Sequence, residues 1–194
     1  MVSFPPLMPS VGWFADFLQS KAKDFREEQS ILAANDGLPS SRDFGRFVLK
    51  ETNGEAITLS LAVEGGGRQL RTLNKIDYLL LSDHGDWRRN HLRAMEACLG
   101  KKPFFPYIFP RLTSAYLDKN LKSLREFNTA IFQILYSFIL GETEDFNLSL
   151  FYNNKILQER GKEIALQFDN RISSLEAICS FGKESLLGFL AINL

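Results

Sequence analysis

The chain has only two histidines, His84 and His91, and both fall within the stretch SDHGDWRRNH at 82–91. Histidine is the side chain whose ordinary pKa lies near neutrality, so any general acid–base step that uses an imidazole must use one of these two. Asp83 and Asp86 flank His84, and Arg88 and Arg89 follow. The apolar run before them reads as a strand and the residues after them as a helix. That junction is where ligands of α/β sheets tend to sit. A helix N-terminus adds free N–H groups and partial positive charge, so a phosphate or carboxylate would fit there with Arg88. Asp86 is equally well read as the N-cap of the helix.

On a helical projection, Trp87, His91, Met95 and Cys98 share a face with Leu92 and Leu99. His91 therefore points toward the core or into a cleft in it. A core histidine with a satisfied ring is the competing reading. A nucleophilic Cys98–His91 pair is excluded by distance, because seven helical residues rise about 10.5 Å. The two histidines and Asp83 do not have the ligand spacing of a zinc site, so neither a metal nor a cofactor is expected. Cys98 and Cys179 make no disulfide framework.

The elements that position these residues follow from periodicity. Three of the seven prolines lie in residues 1–10, which should be extended or turning. A helix is expected over 11–22 behind Ser10 as N-cap, and a further helical turn near 30–34. Residues 44–49 and 56–63 read as a hairpin around Asn53-Gly54, with Gly65-Gly66-Gly67 as a plain loop. Residues 75–81 are dense in apolar side chains and read as a central third strand. A helix is expected over 87–99, stopped by Gly100. Residues 103–110 read as a stiff aromatic connector. The longest helix should span 123–140, and 147–152 suits a short strand. Two short helices, 174–181 and 183–192, should be divided by Gly182. The expectation is an α/β or α+β fold: one domain over 1–194, with a small mixed sheet flanked by helices.

The bulk numbers fit this picture. With 194 residues, 45% hydrophobic and 24% charged, the chain can bury a sizeable core, and 17 Phe make that core aromatic. Formal net charge is zero, which argues against a general nucleic-acid binder. The longest apolar stretch, 130–140, is too short for a membrane span, and the N-terminus lacks the pattern of a secretory signal. A cytoplasmic setting is expected.

Asn128 lies beside the apolar stripe of the long helix, where its amide could line a pocket or serve a neighbouring backbone. The run Phe104, Phe105, Tyr107, Phe109 could stack on a sugar ring or fill core.

Several motifs together resemble the WbqC-like family. In KIDYLLLSDHGDWRRNHLRAMEACLGKKPFFPYI (75–108), Trp87 is followed four positions later by His91, and then by Pro103, Phe104, Phe105 and Tyr107. Asp83-His84-Gly85 before the Trp is similar to Bacteroides-type members. PPLMPSVGWF (5–14), the Arg46 to Asn53-Gly54 region and ISSLEAICSFGKESLLGFL (172–190) are also similar to family segments. Many relatives open His-Gln-Pro-Asn-Tyr, where this chain has Ser3, Phe4, Pro5, Pro6 and Leu7.

The resemblance implies a part in O-antigen or capsule polysaccharide biosynthesis, such as acyl or aminoacyl transfer to an amino sugar, with a sugar nucleotide or amino sugar as ligand. It would make His84 or His91, with Asp83, the acid–base group. Arg46 and Arg88 would hold a phosphate, and Trp87, Asn128 and Tyr107 would belong to the substrate site. The alternative is a non-catalytic accessory protein that has lost family site residues.

Overall fold

The computed structural model describes residues 5–15, 17, 44–50, 54–71, 78–141 and 173–193. The expected turn at 30–34 and strand at 147–152 lie outside the described residues, as does the start of the 75–81 strand.

A two-stranded antiparallel sheet forms where hydrophobic alternation demanded it. Strand β1 (Arg46–Lys50) turns Phe47 and Leu49 inward and leaves Arg46, Val48 and Lys50 exposed. Strand β2 (Ala56–Ser60) pairs with it in the register Arg46↔Ser60, Phe47↔Leu59 and Leu49↔Ile57. The sheet is therefore purely antiparallel among the described residues, not mixed. Of the expected central strand at 75–81, the described residues 78–81 hold two bridge residues and no extended ladder. Leu81 pairs with Val63, and Leu80 pairs with Ser123. Leu79 and Leu81 are buried while Tyr78 and Leu80 are exposed, so this segment alternates and is covered on one face only.

Four helices carry most of the core: α1 (Trp87–Leu99), α2 (Phe105–Leu117), α3 (Leu124–Leu140) and α4 (Ser174–Asn193). Together with the hairpin they make a mixed α/β fold. Helix α1 buries Trp87, His91, Leu92, Met95, Cys98 and Leu99, the face expected from the sequence. Helix α3 starts at a full capping box. Ser123 Oγ accepts from the Glu126 N–H at 3.1 Å, and the Glu126 carboxylate accepts from the Ser123 N–H at 2.9 Å. Those bonds hold the Glu126 carboxyl below its usual range.

The aromatic segment 103–110 is not a connector. It starts α2, with Pro106 in the first turn and Pro110 inside the helix. Pro106 costs little because a first-turn N–H has no helical partner. Pro110 removes the bond to the carbonyl four residues earlier, that of Pro106. Both prolines are exposed, so water can serve that carbonyl, while Phe105, Ile108 and Leu112 secure the buried face.

Helix α4 kinks at Gly182, whose φ of 74° and ψ of 179° suit glycine alone. A Cβ there would also press to 2.6 Å from the Phe104 ring. The division expected at Gly182 is thus real.

Long-range polar contacts close the fold. Ser10 caps the first helical residues by accepting from the Trp13 N–H at 3.1 Å. The Ser174 hydroxyl donates to the Pro9 carbonyl at 2.7 Å. Asn128 is fully buried, and its amide nitrogen donates to the carbonyls of Pro5 (3.1 Å) and Phe44 (2.9 Å). One side chain of α3 thus pins both the proline-rich N-terminal segment and the entry to β1. Asn128→Ala should lower stability by about 2 kcal/mol, because two carbonyls lose their donor on burial. Chemical denaturation measures the loss, and amide exchange should quicken at 11–15. Unchanged stability would show that these bonds contribute nothing.

Candidate functional site

The segment 82–86 is held from beneath. The Ser82 N–H donates to the Ala62 carbonyl at 2.8 Å, tying the loop to the chain leaving β2. The Ser82 carbonyl accepts from Trp87 Nε1 at 2.8 Å, and its hydroxyl accepts from the His84 N–H at 3.1 Å. Gly85 turns the chain with a φ of 70°, a conformation that glycine adopts without strain. The product of these constraints is a loop whose Asp83, His84 and Asp86 side chains are all exposed.

Asp86 occupies the N-cap position of α1, yet its side chain makes no capping bond. It lies 3.9 Å from the Arg89 guanidinium instead, with both groups largely in solvent. The physical reason is its backbone: φ −91° and ψ 41° are not the extended values that turn a capping carboxylate over the first N–H groups.

Arg88 is used internally. Its guanidinium stacks over the Trp87 ring at 4.7 Å and the Phe127 ring at 5.4 Å. Nη1 donates to the carbonyls of Tyr116 (2.9 Å) and Asp118 (3.3 Å), and Nη2 to that of Leu121 (3.1 Å). Arg88 therefore caps the C-terminal end of α2, where the helix dipole favours a cation. Burial lowers its pKa, against the opposing pull of Asp83, Asp118 and Tyr116. The expectation that this arginine faces a phosphate meets a guanidinium whose two terminal nitrogens are already engaged.

His91 is 3% exposed. Its ring sits among Trp87 (centroids 5.3 Å apart), Phe47 (5.8 Å) and Tyr116 (5.8 Å). Nε2 lies 3.0 Å from the Ser60 carbonyl. A carbonyl only accepts, so Nε2 carries the proton and Nδ1 is left as an acceptor. Burial drops the His91 pKa to about 4, outweighing the Ser60 bond, so the ring is neutral at physiological pH. His91 thus fastens α1 to the hairpin, opposite Arg46 in the strand register.

The two histidines consequently stand in different surroundings: His84 in solvent, His91 in the aromatic core. Asp83 is close enough to Arg88 to favour its charge. Arg46 is exposed, and its neighbour Gly45 accepts from the Leu61 N–H at 2.8 Å, one residue before the Ala62 carbonyl that holds Ser82. Arg46 and the His84 loop therefore lie at the same end of the hairpin. Trp87 is buried beneath that loop. Asn128 is committed to Pro5 and Phe44, and Tyr107 is 68% exposed on α2. Sequence reasoning missed Tyr116 and the Ser60 carbonyl, which meet His91 only through tertiary packing. Among the described residues, no group of three His, Cys, Asp or Glu is placed to hold a metal ion, and no helix is long and apolar enough to cross a membrane.

The model of the WbqC-like protein family matches residues 40–187, a span that includes β1, β2, the His84 loop and α1 to α3. Comparison with curated proteins and with solved structures returns no match.

Proposed function

The chain belongs to the WbqC-like protein family, and on that premise we propose that it serves in the biosynthesis of surface polysaccharide, transferring an acyl or aminoacyl group to an amino sugar at the 82–86 loop. The observation that carries this reading is the contrast between the histidines. His84 is the exposed imidazole, beside Asp83, on a loop that Ser82, Gly85 and Trp87 hold in place. His91 is buried, with its proton fixed by Ser60. His84 is therefore the acid–base group of the pair. It takes the proton from the sugar amine as the nitrogen attacks the carbonyl of an activated acyl donor and the donor's leaving group departs. Arg46 supplies a cation for a sugar phosphate at the same end of the hairpin.

Calorimetric titration with nucleotide-linked amino sugars tests this. The wild type should bind, Arg46→Ala should bind about tenfold more weakly, and His84→Ala should keep binding while losing transfer. The proposal fails if the wild type binds no such sugar. A second reading, a non-catalytic accessory protein, draws support from the burial of His91, which withdraws one of the two imidazoles from solvent. Binding without turnover for any acyl donor would favour it.

A further inference from the structure

Five buried side-chain polar atoms lack a hydrogen-bond partner among the described residues, and four of them belong to two helices packed on each other. Arg88 Nε and His91 Nδ1 are on α1, and Thr113 Oγ1 and Tyr116 Oη are on α2. Within each helix the two residues are three apart and so lie on one face. The faces meet: the Tyr116 carbonyl accepts from Arg88 Nη1 at 2.9 Å, and the Tyr116 and His91 rings are 5.8 Å apart. The fifth atom, Asn128 Oδ1, is on α3.

Buried polar atoms are nearly always paired, so their concentration at one interface points to a common partner. The donor and acceptor inventory specifies that partner. Arg88 Nε can only donate. His91 Nδ1 can only accept, because Nε2 donates to Ser60. The Thr113 and Tyr116 hydroxyls can do either. An anion would meet the Nδ1 lone pair, and a cation would meet the Arg88 guanidinium. A neutral hydroxyl donates to Nδ1 and accepts from two of the others, and water has a second proton to donate to the remaining hydroxyl oxygen.

We infer that the α1–α2 interface contains an internal site for a small neutral hydroxyl, from water or a polyol, held between His91 Nδ1 and the Tyr116 and Thr113 hydroxyls with Arg88 Nε at its edge. Tyr116 is fully buried and His91 nearly so, so exchange of this molecule requires the helices to part locally. The site is independent of the transfer reaction proposed for His84.

Two measurements on the full chain test it. In a high-resolution crystal structure, an oxygen should lie about 2.7–3.2 Å from His91 Nδ1 and within the same reach of Tyr116 Oη or Thr113 Oγ1. In solution, the Nδ1 resonance of ¹⁵N-histidine-labelled protein should be displaced from that of a free acceptor. Magnetisation transfer from long-lived water would identify water as the source, and transfer from added glycerol a polyol. Tyr116→Phe, which keeps the ring, should retain much of the displacement. Its complete return to the free-acceptor position would mean that Tyr116 bonds His91 directly, and would overturn the inference. So would an Nδ1 that already resonates as free in the wild type, or a crystal with no oxygen at that position.

Discussion

Lowering the pH from 7 to 4 is expected to cost this protein about 3 kcal/mol of stability through one side chain, His91. In the unfolded chain the imidazole takes up its proton near pH 6.5. In the fold, burial holds the pKa down to about 4. Between those values the unfolded state carries one more proton than the native state, so stability rises with pH and falls on acidification. The contribution is fully present above about pH 6.5, is lost as pH falls through that window, and levels off near pH 4. A pKa lowered from 6.5 to about 4 corresponds to about 3.5 kcal/mol in full, of which about 3 kcal/mol is lost by pH 4, where the native ring is itself half protonated. The structural source is the neutral ring packed against Trp87, Phe47 and Tyr116, with Nε2 donating to the Ser60 carbonyl. Denaturation of the wild type and His91→Gln across pH 7 to 4 isolates the contribution of His91. Carboxylates contribute the same slope to both proteins, and only the wild type carries the histidine. Parallel slopes would show that His91 titrates in the fold as it does unfolded.

The second large effect belongs to Arg88. Arg88→Ala should destabilise the protein by about 3 kcal/mol, whereas Arg89→Ala, one position along, should cost less than about 0.5 kcal/mol. The two arginines are neighbours in sequence and opposites in physics. Arg88 donates to three carbonyls at and just beyond the end of α2 and lies over the Trp87 and Phe127 rings. Charged hydrogen bonds of this kind are each worth about 1.5–3 kcal/mol, but water can reach part of the site and offsets much of the summed loss. Arg89 meets Asp86 at 3.9 Å with both groups in solvent, where a pair contributes little. Arg88→Lys should recover only a minor part, because an ammonium cannot fork between three carbonyls. Thermal or denaturant unfolding gives the ranking. Faster amide exchange at 116–121 in Arg88→Ala would locate the damage at the α2 terminus. Equal losses for Arg88→Ala and Arg89→Ala would refute the capping role.

The sequence alone determined whatever depends on local pattern. The apolar stripes of α1 and α3, the Ser123 and Gly182 boundaries, the Ser10 cap and the 44–60 hairpin all follow from periodicity and turn chemistry, which act between residues a few positions apart. The same logic placed His84 on a loop and turned His91 inward. It misread 103–110, because proline signals a break unless its freed carbonyl faces water, and the sequence does not say which way that carbonyl faces. Only the tertiary structure decided what each polar group meets. Arg88 reaches carbonyls 28 to 33 residues away, His91 one 31 residues away, and Asn128 two that are 123 and 84 residues away. No local spacing encodes such partners. Burial, by removing water as an alternative partner, is what makes those distant carbonyls matter.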